Sequence, residues 1–453
     1  MGTGKSRSLR LLMKKGTTSF VCQECGYDSP AYLGKCPECG LWNSFKEIRI
    51  SNKQSAISSQ QSAANLVPKK LSEINYTEKQ KLSTGFSEMD GVFGGGIIPG
   101  SVTLLAGDPG IGKSTLLLQL GLRVSQESIG KVLYISGEES EEQIKLRAER
   151  IKKKNTKDGS FLLLAATDTD AIIEIIQDLK PALVIIDSIQ TISSENAGGL
   201  SGAVGQVRYG AAMLVKVAKT YKIPIIIVGH VTKEGMVAGP MVLSHMVDTV
   251  LFLEGEKTTS TRILRSFKNR FGPVDEVGIF LMEEMGMIQS QDPQQLFLNS
   301  LSKALPGSVI VSTLEGTRAF LVEVQGLVVS SKLPIPRRVG IGIDSRRLEL
   351  LLAVLQKHCN LPIGTSDIFV NVAGGLKLSD PACDLGICLA IFSSFKNIPL
   401  SKTVAIGEVG LLGELRRVNN LEKRAKEARK LGYKQVITSQ DFKTLNEVIR
   451  GLK

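Results

Sequence analysis

The sequence predicts an α/β protein: a doubly wound, mostly parallel sheet bearing a phosphate loop, with a small zinc module before it and a separate α+β domain after it. Three observations carry this reading. Gly107 to Thr115 read GDPGIGKST directly after the strand-like run Ser101 to Ala106. From about 83 to 290, β-branched apolar runs alternate with helix-like stretches, the pattern of βαβ units. Four of the seven cysteines form two C-x2-C pairs between positions 22 and 39.

Taken in order, residues 1 to 19 are basic and without acids, and no apolar run of a signal peptide follows, so a disordered leader is expected. Residues 20 to 50 hold Cys22, Cys25, Cys36 and Cys39, with Gly26 and Gly40 behind the second cysteine of each pair. Two such knuckles bring four thiolates to the ~2.3 Å radius that Zn²⁺ prefers, with a glycine where each tight turn needs one. A module this poor in apolar residues needs a staple, and four thiolates leave no open coordination position, so the zinc is structural. Two disulfides in an exported domain are the alternative, for which the chain shows no signal peptide.

Residues 51 to 80 begin SNKQSAISSQQSAAN, a composition that makes a flexible linker. The domain from 81 to 290 has strands near 101 to 106, 131 to 136, 182 to 187, 223 to 229 and 248 to 254. A Pro/Gln break at Asp292 to Gln295 starts the last domain, 291 to 453. There, strands are expected at 307 to 312 and 319 to 328, and helices near 346 to 357, 381 to 395 and 420 to 431.

GDPGIGKST matches G-x-x-x-x-G-K-[ST] in a strand-loop-helix setting. The loop Gly107, Asp108, Pro109, Gly110, Ile111, Gly112, Lys113, Ser114 and Thr115 would wrap an anion at a helix N-terminus with the backbone N–H groups of all but Pro109, and the helix dipole favours negative charge there. Lys113 would reach the β/γ-phosphates and the Ser114 hydroxyl a Mg²⁺ ion. ATP with Mg²⁺ is the expected ligand. Ala182 to Asp187 is an apolar strand ending in an acid, and Asp187 would hold Mg²⁺ through its water shell. Glu138 and Glu139 follow the strand ending Tyr134-Ile135-Ser136; either carboxylate would polarise an attacking water at the carboxyl edge of the sheet, while the remaining acids of that stretch complement the next helix's N-terminus. His230 is either a γ-phosphate sensor or a structural residue at a strand end.

The net charge of +12 points to a polyanionic partner. No apolar run approaches the ~20 residues that cross a bilayer, so no membrane partner is expected, and the cytoplasm is the expected compartment.

Ser83-Thr84-Gly85-Phe86, Asp90, Gly94-Gly95-Gly96, the phosphate loop and Ser136-Gly137-Glu138-Glu139-Ser140 resemble the RecA-type ATPases. With the zinc module in front and Lys268-Asn269-Arg270-Phe271-Gly272 behind, the chain resembles the bacterial RadA (Sms) family from about residue 19 onward. The resemblance implies a RecA-like fold and a DNA-dependent ATPase of repair and recombination that drives branch migration or unwinding. It also implies a homo-hexameric ring acting on single-stranded and branched DNA alongside a recombinase of the RecA type. By it, Glu138 is the catalytic glutamate, and Lys268 and Arg270 reach a neighbouring subunit's nucleotide, as arginine fingers do.

In RecA-like proteins, loops such as Thr191 to Val207 and Val231 to Ser244 line the DNA channel. Arg208 and Lys233 are then the expected phosphate contacts, in segments expected to be mobile; such contacts position a strand without reading its sequence. The last domain resembles the Lon peptidase domain through Pro306-Gly307, Gly374-Gly375-Leu376-Lys377 and Gly407-Glu408-Val409-Gly410. Lon chemistry needs a serine activated by a lysine. Here Ala382 stands at the serine position and Glu422 at the lysine position, so a scaffold without peptidase activity is expected, with a displaced Cys383 and Lys423 as the nearest substitute. Lys423, Arg424, Lys426, Arg429 and Lys430 share one helix, either as a solvated face or against DNA.

Two other functional classes compete with a DNA motor. One is an ATP-dependent serine protease of Lon type, against which the lost dyad argues. The other is a KaiC-like regulatory ATPase acting on protein partners, which would need no DNA.

Overall fold

The computed structural model describes residues 18–22, 27–37, 40–49, 70–73, 81–127, 130–151, 159–230, 243–255, 260–274, 276–290, 297–298, 305–400 and 402–452. Cys25, Cys39 and Lys233 lie outside the described residues, as do 1–17 of the expected leader and, apart from 70–73, the expected linker. The chain forms two compact units. The first comprises residues up to Gly85 together with Ile97–Val250; the second comprises Phe86–Gly96, which carry helix α1 (Ser87–Phe93), together with Leu251–Lys453.

The first unit opens with a three-stranded antiparallel sheet, β1 (Thr18–Cys22), β2 (Asp28–Ser29) and β3 (Phe45–Arg49), with β1 in the middle. Cys22, Cys36 and Phe45 are its buried core, too small a core to fold without a staple.

The rest of the unit is built from β4 (Val102–Gly107), α2 (Lys113–Glu127), β5 (Val132–Ser136), α3 (Glu141–Ile151), β6 (Phe161–Ala165), α4 (Thr169–Leu179), β7 (Leu183–Asp187), α5 (Val204–Tyr221) and β8 (Ile225–His230). The strands run parallel in the order β4-β8-β7-β5-β6. Every residue of β4, β5 and β7 is buried, as in a parallel sheet covered on both faces by its crossover helices. The sequence reading lacked β6: FLLLA is a short apolar run that periodicity alone cannot separate from a buried helix segment.

The division between the two compact units falls inside β9 (Thr249–Glu254). β10 (Thr261–Asn269), β11 (Val277–Glu283) and β12 (Gly286–Gln289) form an antiparallel meander in the second unit, and α1 packs on β10 and β11. Within this unit Glu88 of α1 accepts the Ile279 N–H and pairs with Arg318.

That fold is a mixed six-stranded sheet made of β13 (Ser308–Glu315), β14 (Arg318–Ser330), β15 (Arg338–Ile341), β16 (Ser366–Val372), β17 (Thr403–Ile406) and β20 (Gln435–Thr438), in the order β15-β16-β14-β13-β17-β20. The pair β18 (Glu408–Val409) and β19 (Leu415–Arg416) stands apart. Helices α6 (Ser345–His358), α7 (Asp384–Lys396), α8 (Leu421–Lys430) and α9 (Leu445–Gly451) complete it. Successive side chains of a strand point to opposite faces. Accordingly Phe320, Val322 and Ala405 share a core with α7, while Leu321, Val404 and Ile406 share one with Ala428 of α8. The sheet is thus the middle layer of an α+β sandwich. Among the described residues no helix is long and apolar enough to cross a membrane.

Candidate active site

The site grows from strand tips. Parallel register sets Gly107 beside His230 and Ser136 beside Asp187, so the carboxyl ends of β4, β5, β7 and β8 form one edge, where open α/β sheets bind ligands. The phosphate loop leaves β4 and enters α2 at Lys113. Gly110 and Gly112 have φ of 77° and 110°, values that side chains with a Cβ rarely adopt. That curl lets successive N–H groups face inward at the start of a fifteen-residue helix.

Lys113 is 3% exposed. Its ammonium donates to the carbonyls of Gly107 at 2.8 Å and Asp108 at 2.9 Å. Burial pulls its pKa below the ordinary lysine value; the negative charges of Asp187, Asp108 and Glu138 oppose this. Residues far apart in sequence therefore share one field around the lysine amine.

The two acids at the edge are each held by a hydroxyl. Tyr134 donates to Asp187 Oδ2 at 2.6 Å, and Ser188 donates to Glu138 Oε1 at 2.8 Å. Glu139 instead pairs with Arg147 of α3, so of the two glutamates left open by the sequence, Glu138 has its carboxylate beside the β7 tip. Burial and the neighbouring Asp187 push the Tyr134 phenol well above its usual pKa, so it remains a proton donor. Sequence reasoning missed Tyr134 and Ser188. The available signal was a tyrosine inside an otherwise apolar strand, whose hydroxyl must find a partner when buried.

The segment Thr191 to Val207, expected to be mobile, is organised. Its last four residues already belong to α5. The side-chain amide of Gln206 accepts from the Ser194 N–H at 2.9 Å and donates to the carbonyls of Ser194, Ala197 and Gly199. Ser194 and Asn196 reach Asp170 at the start of α4. A buried amide that satisfies four backbone groups fixes a loop, because each group would otherwise be desolvated without a partner. Arg208 lies half-buried two residues further along α5.

Lys268 and Arg270 belong to the second unit, at the end of β10 and just after it. The residue between them fixes the backbone: Asn269 Nδ2 donates to the carbonyls of Val92 and Phe93 at the end of α1, and its Oδ1 accepts the Phe271 N–H at 3.0 Å. A Cβ on Gly272 would stand 2.8 Å from Asn269 Nδ2 and 3.0 Å from the Phe93 carbonyl oxygen, so a side chain there would crowd the Asn269 amide out of its place. The asparagine and glycine anchor the segment that carries the two cations.

In the zinc module, the Cys22 N–H donates to Tyr27 O, the Cys36 N–H to Leu41 O, and the Gly40 N–H back to Cys36 O. These tight turns around two buried cysteines suit thiolate ligation of zinc. In the C-terminal fold, Ala382 offers no hydroxyl, and the Cys383 thiol is fully buried and pushed well above its usual pKa by that burial. Lys423 turns its amine to the Thr317 carbonyl, so Cys383 and Lys423 do not form a substitute dyad. Arg424, expected with the other cations of α8, is buried and paired with Asp380; it takes no part in an exposed basic face.

The profile described as "AAA domain" matches residues 69–236, that described as "Rubredoxin metal binding domain" matches 20–47, and that described as "Subunit ChlI of Mg-chelatase" matches 346–441. The chain is 47% identical over 430 residues to the DNA repair protein RadA of Bacillus subtilis (strain 168), covering 94% of this chain and 93% of that protein. It is 47% identical over 446 residues to the DNA repair protein RadA of Streptococcus pyogenes serotype M6, covering 97% and 96%. The crystal structure of the RadB recombinase matches 46% of this chain and all of its own at 27% identity, with a TM-score of 0.37.

Proposed function

The chain belongs to the RadA family of DNA repair proteins, and from that membership we propose that it is an ATP-driven motor of homologous recombination and repair that binds single-stranded DNA and promotes branch migration or unwinding of recombination intermediates. The observation that carries this is the convergence of Lys113, Asp187 and Glu138 on one sheet edge, from which runs a loop that Gln206 fastens to α5.

In this reading the loop from Gly107 to Thr115 holds the triphosphate by its N–H groups and Lys113 neutralises the β/γ-phosphates. Ser114 and Asp187 would hold a magnesium ion, which would supply neutralisation of the charge that develops on the phosphates. Glu138 orients and polarises the attacking water. Lys268 and Arg270, stiffened by Asn269, act on the nucleotide of an adjacent protomer in a homo-hexamer. Arg208 and Lys233 contact DNA phosphates, and the motor serves a RecA-type recombinase in the cytoplasm. Cys22, Cys25, Cys36 and Cys39 hold one structural zinc. Peptidase activity is not part of this reading, because neither Ala382 nor Glu422 can act as nucleophile or base in a Ser-Lys manner.

Steady-state ATP hydrolysis with and without single-stranded DNA tests it, with Lys113→Ala as the control for contaminating enzymes. The expected result is stimulation by DNA that vanishes in the mutant and weakens steeply with salt, because phosphate contacts release counterions. Hydrolysis indifferent to DNA at low salt would overturn the motor in favour of a regulatory ATPase.

A further inference from the structure

Two hydrogen bonds cross between the tips of β5 and β7 in opposite directions. Tyr134, in β5, donates to Asp187 at the end of β7; Ser188, just past β7, donates to Glu138, just past β5. Each carboxylate therefore accepts a hydroxyl from the neighbouring strand. The register, Tyr134 beside Ile185 and Ser136 beside Asp187, places both donors within reach. Tyr134 is 1% exposed and Ser188 is 0% exposed, so water has no access to replace either hydroxyl.

Resting on the assignment of Glu138 and Asp187 made above, we propose that Ser188 and Tyr134 are positioning residues that form a reciprocal latch between the two strands and aim the two carboxylates. Ser188 binds Glu138 through Oε1 and so fixes the rotamer from which the carboxylate acts on the attacking water. Tyr134 binds Asp187 through Oδ2, and Oδ1 serves the water shell of the metal. A carboxylate on a flexible side chain samples several rotamers, and a displacement of about 1 Å at a catalytic group can cost on the order of a hundredfold in rate. A donated hydrogen bond at each acid restricts that freedom.

The latch also has an outward connection. The Ser188 carbonyl accepts the Thr191 hydroxyl at 2.8 Å. Gly137, next to Glu138, lies so close that a Cβ there would meet Thr191 Oγ1 at 2.2 Å. Thr191 begins the loop that Gln206 fastens, so any shift of Glu138 or Ser188 is transmitted to it by contact.

The test uses the full chain and measures ATP hydrolysis over titrations of ATP and Mg²⁺. Ser188→Ala is expected to lower kcat by about tenfold to a hundredfold with the KM for ATP unchanged, and Ser188→Thr to restore part of the loss. In a Glu138→Gln background, Ser188→Ala should add nothing, since residues acting as a unit are non-additive. Tyr134→Phe should raise the Mg²⁺ concentration for half-maximal rate several-fold while kcat at saturating Mg²⁺ stays near that of the parent. Should Ser188→Ala fail to fold by thermal melting, Ser188→Cys, nearly the same shape with a weaker donor, takes its place. The latch is overturned if Ser188→Ala slows hydrolysis equally with and without Glu138, or if Tyr134→Phe lowers kcat at every Mg²⁺ concentration without moving the half-maximal point. Glu138→Gln hydrolysing at the parental rate would instead overturn the assignment of Glu138, a separate failure.

Discussion

Arg424 and Asp380 form a buried ion pair, 2.6 Å from Nη2 to Oδ2, with the arginine side chain 3% exposed. Arg424 also donates to the carbonyls of Ser312 and Asn419, and Asp380 accepts the N–H groups of Leu314 and Ala382. The pair joins α8 to the turn Pro381–Cys383 and to β13. Removing one member of a buried pair strands the other charge and costs about 3–5 kcal/mol. Arg424→Met is therefore expected to lower stability by that order in urea unfolding, and adding Asp380→Asn should recover part of it. A double variant no more stable than the single would show that the stranded carboxylate is not the cause.

The Lys113 amine is buried at a cost to the fold. Because burial lowers its pKa from the ordinary 10.5, the native state disfavours the charged amine and releases its proton before the unfolded chain does. Stability from this group therefore rises with pH as the lysine value is approached from below. Lys113→Met should abolish hydrolysis while melting at the same temperature as the parent or higher near pH 7. That advantage should shrink toward pH 10, read by thermal melts across the range.

Gln206 fastens the loop from Thr191 to Ala203 through four backbone partners. Gln206→Leu keeps the volume and loses all four. The amide of Ser194 should then exchange its hydrogen at least about tenfold faster, the equivalent of roughly 1.4 kcal/mol of local opening. Stimulation of hydrolysis by DNA should fall with it, while the DNA-free rate stays near the parental value. Unchanged exchange at Ser194 would refute the role given to the amide.

Of the three C-terminal cysteines, Cys383 and Cys388 are fully buried and Cys359 is half-buried. Burial pushes the Cys359 thiol up to about 11 and those of Cys383 and Cys388 well above the usual value. At pH 8, only about one Cys359 in a thousand is thiolate, the reactive form. Iodoacetamide at that pH should label none of the three in the native protein, by mass spectrometry. Stripping zinc with a chelator should expose Cys22, Cys25, Cys36 and Cys39 to label without adding the other three. Labelling of Cys383 in the native state would contradict its burial.

Much was legible in the sequence because some constraints are local. GDPGIGKST needs its glycines and lysine at fixed offsets to curl backbone around phosphate, and the apolar strands ending at Ser136 and Asp187 announce themselves by composition. The two cysteine knuckles are likewise a spacing argument, whereas the lost Lon dyad rests on the family resemblance. The tertiary structure decided what depends on partners remote in the chain. It separated Glu138 from Glu139, because only the first lies beside the β7 tip while the second finds Arg147. It turned an expected mobile loop into a fastened one, since nothing near Ser194 in sequence reveals that Gln206 folds back over it. It placed Arg424 in a buried pair among residues that a charge count would leave on the surface. Backbone curvature and apolar periodicity are properties of neighbours along the chain, whereas the satisfaction of buried polar groups is settled only when distant segments meet.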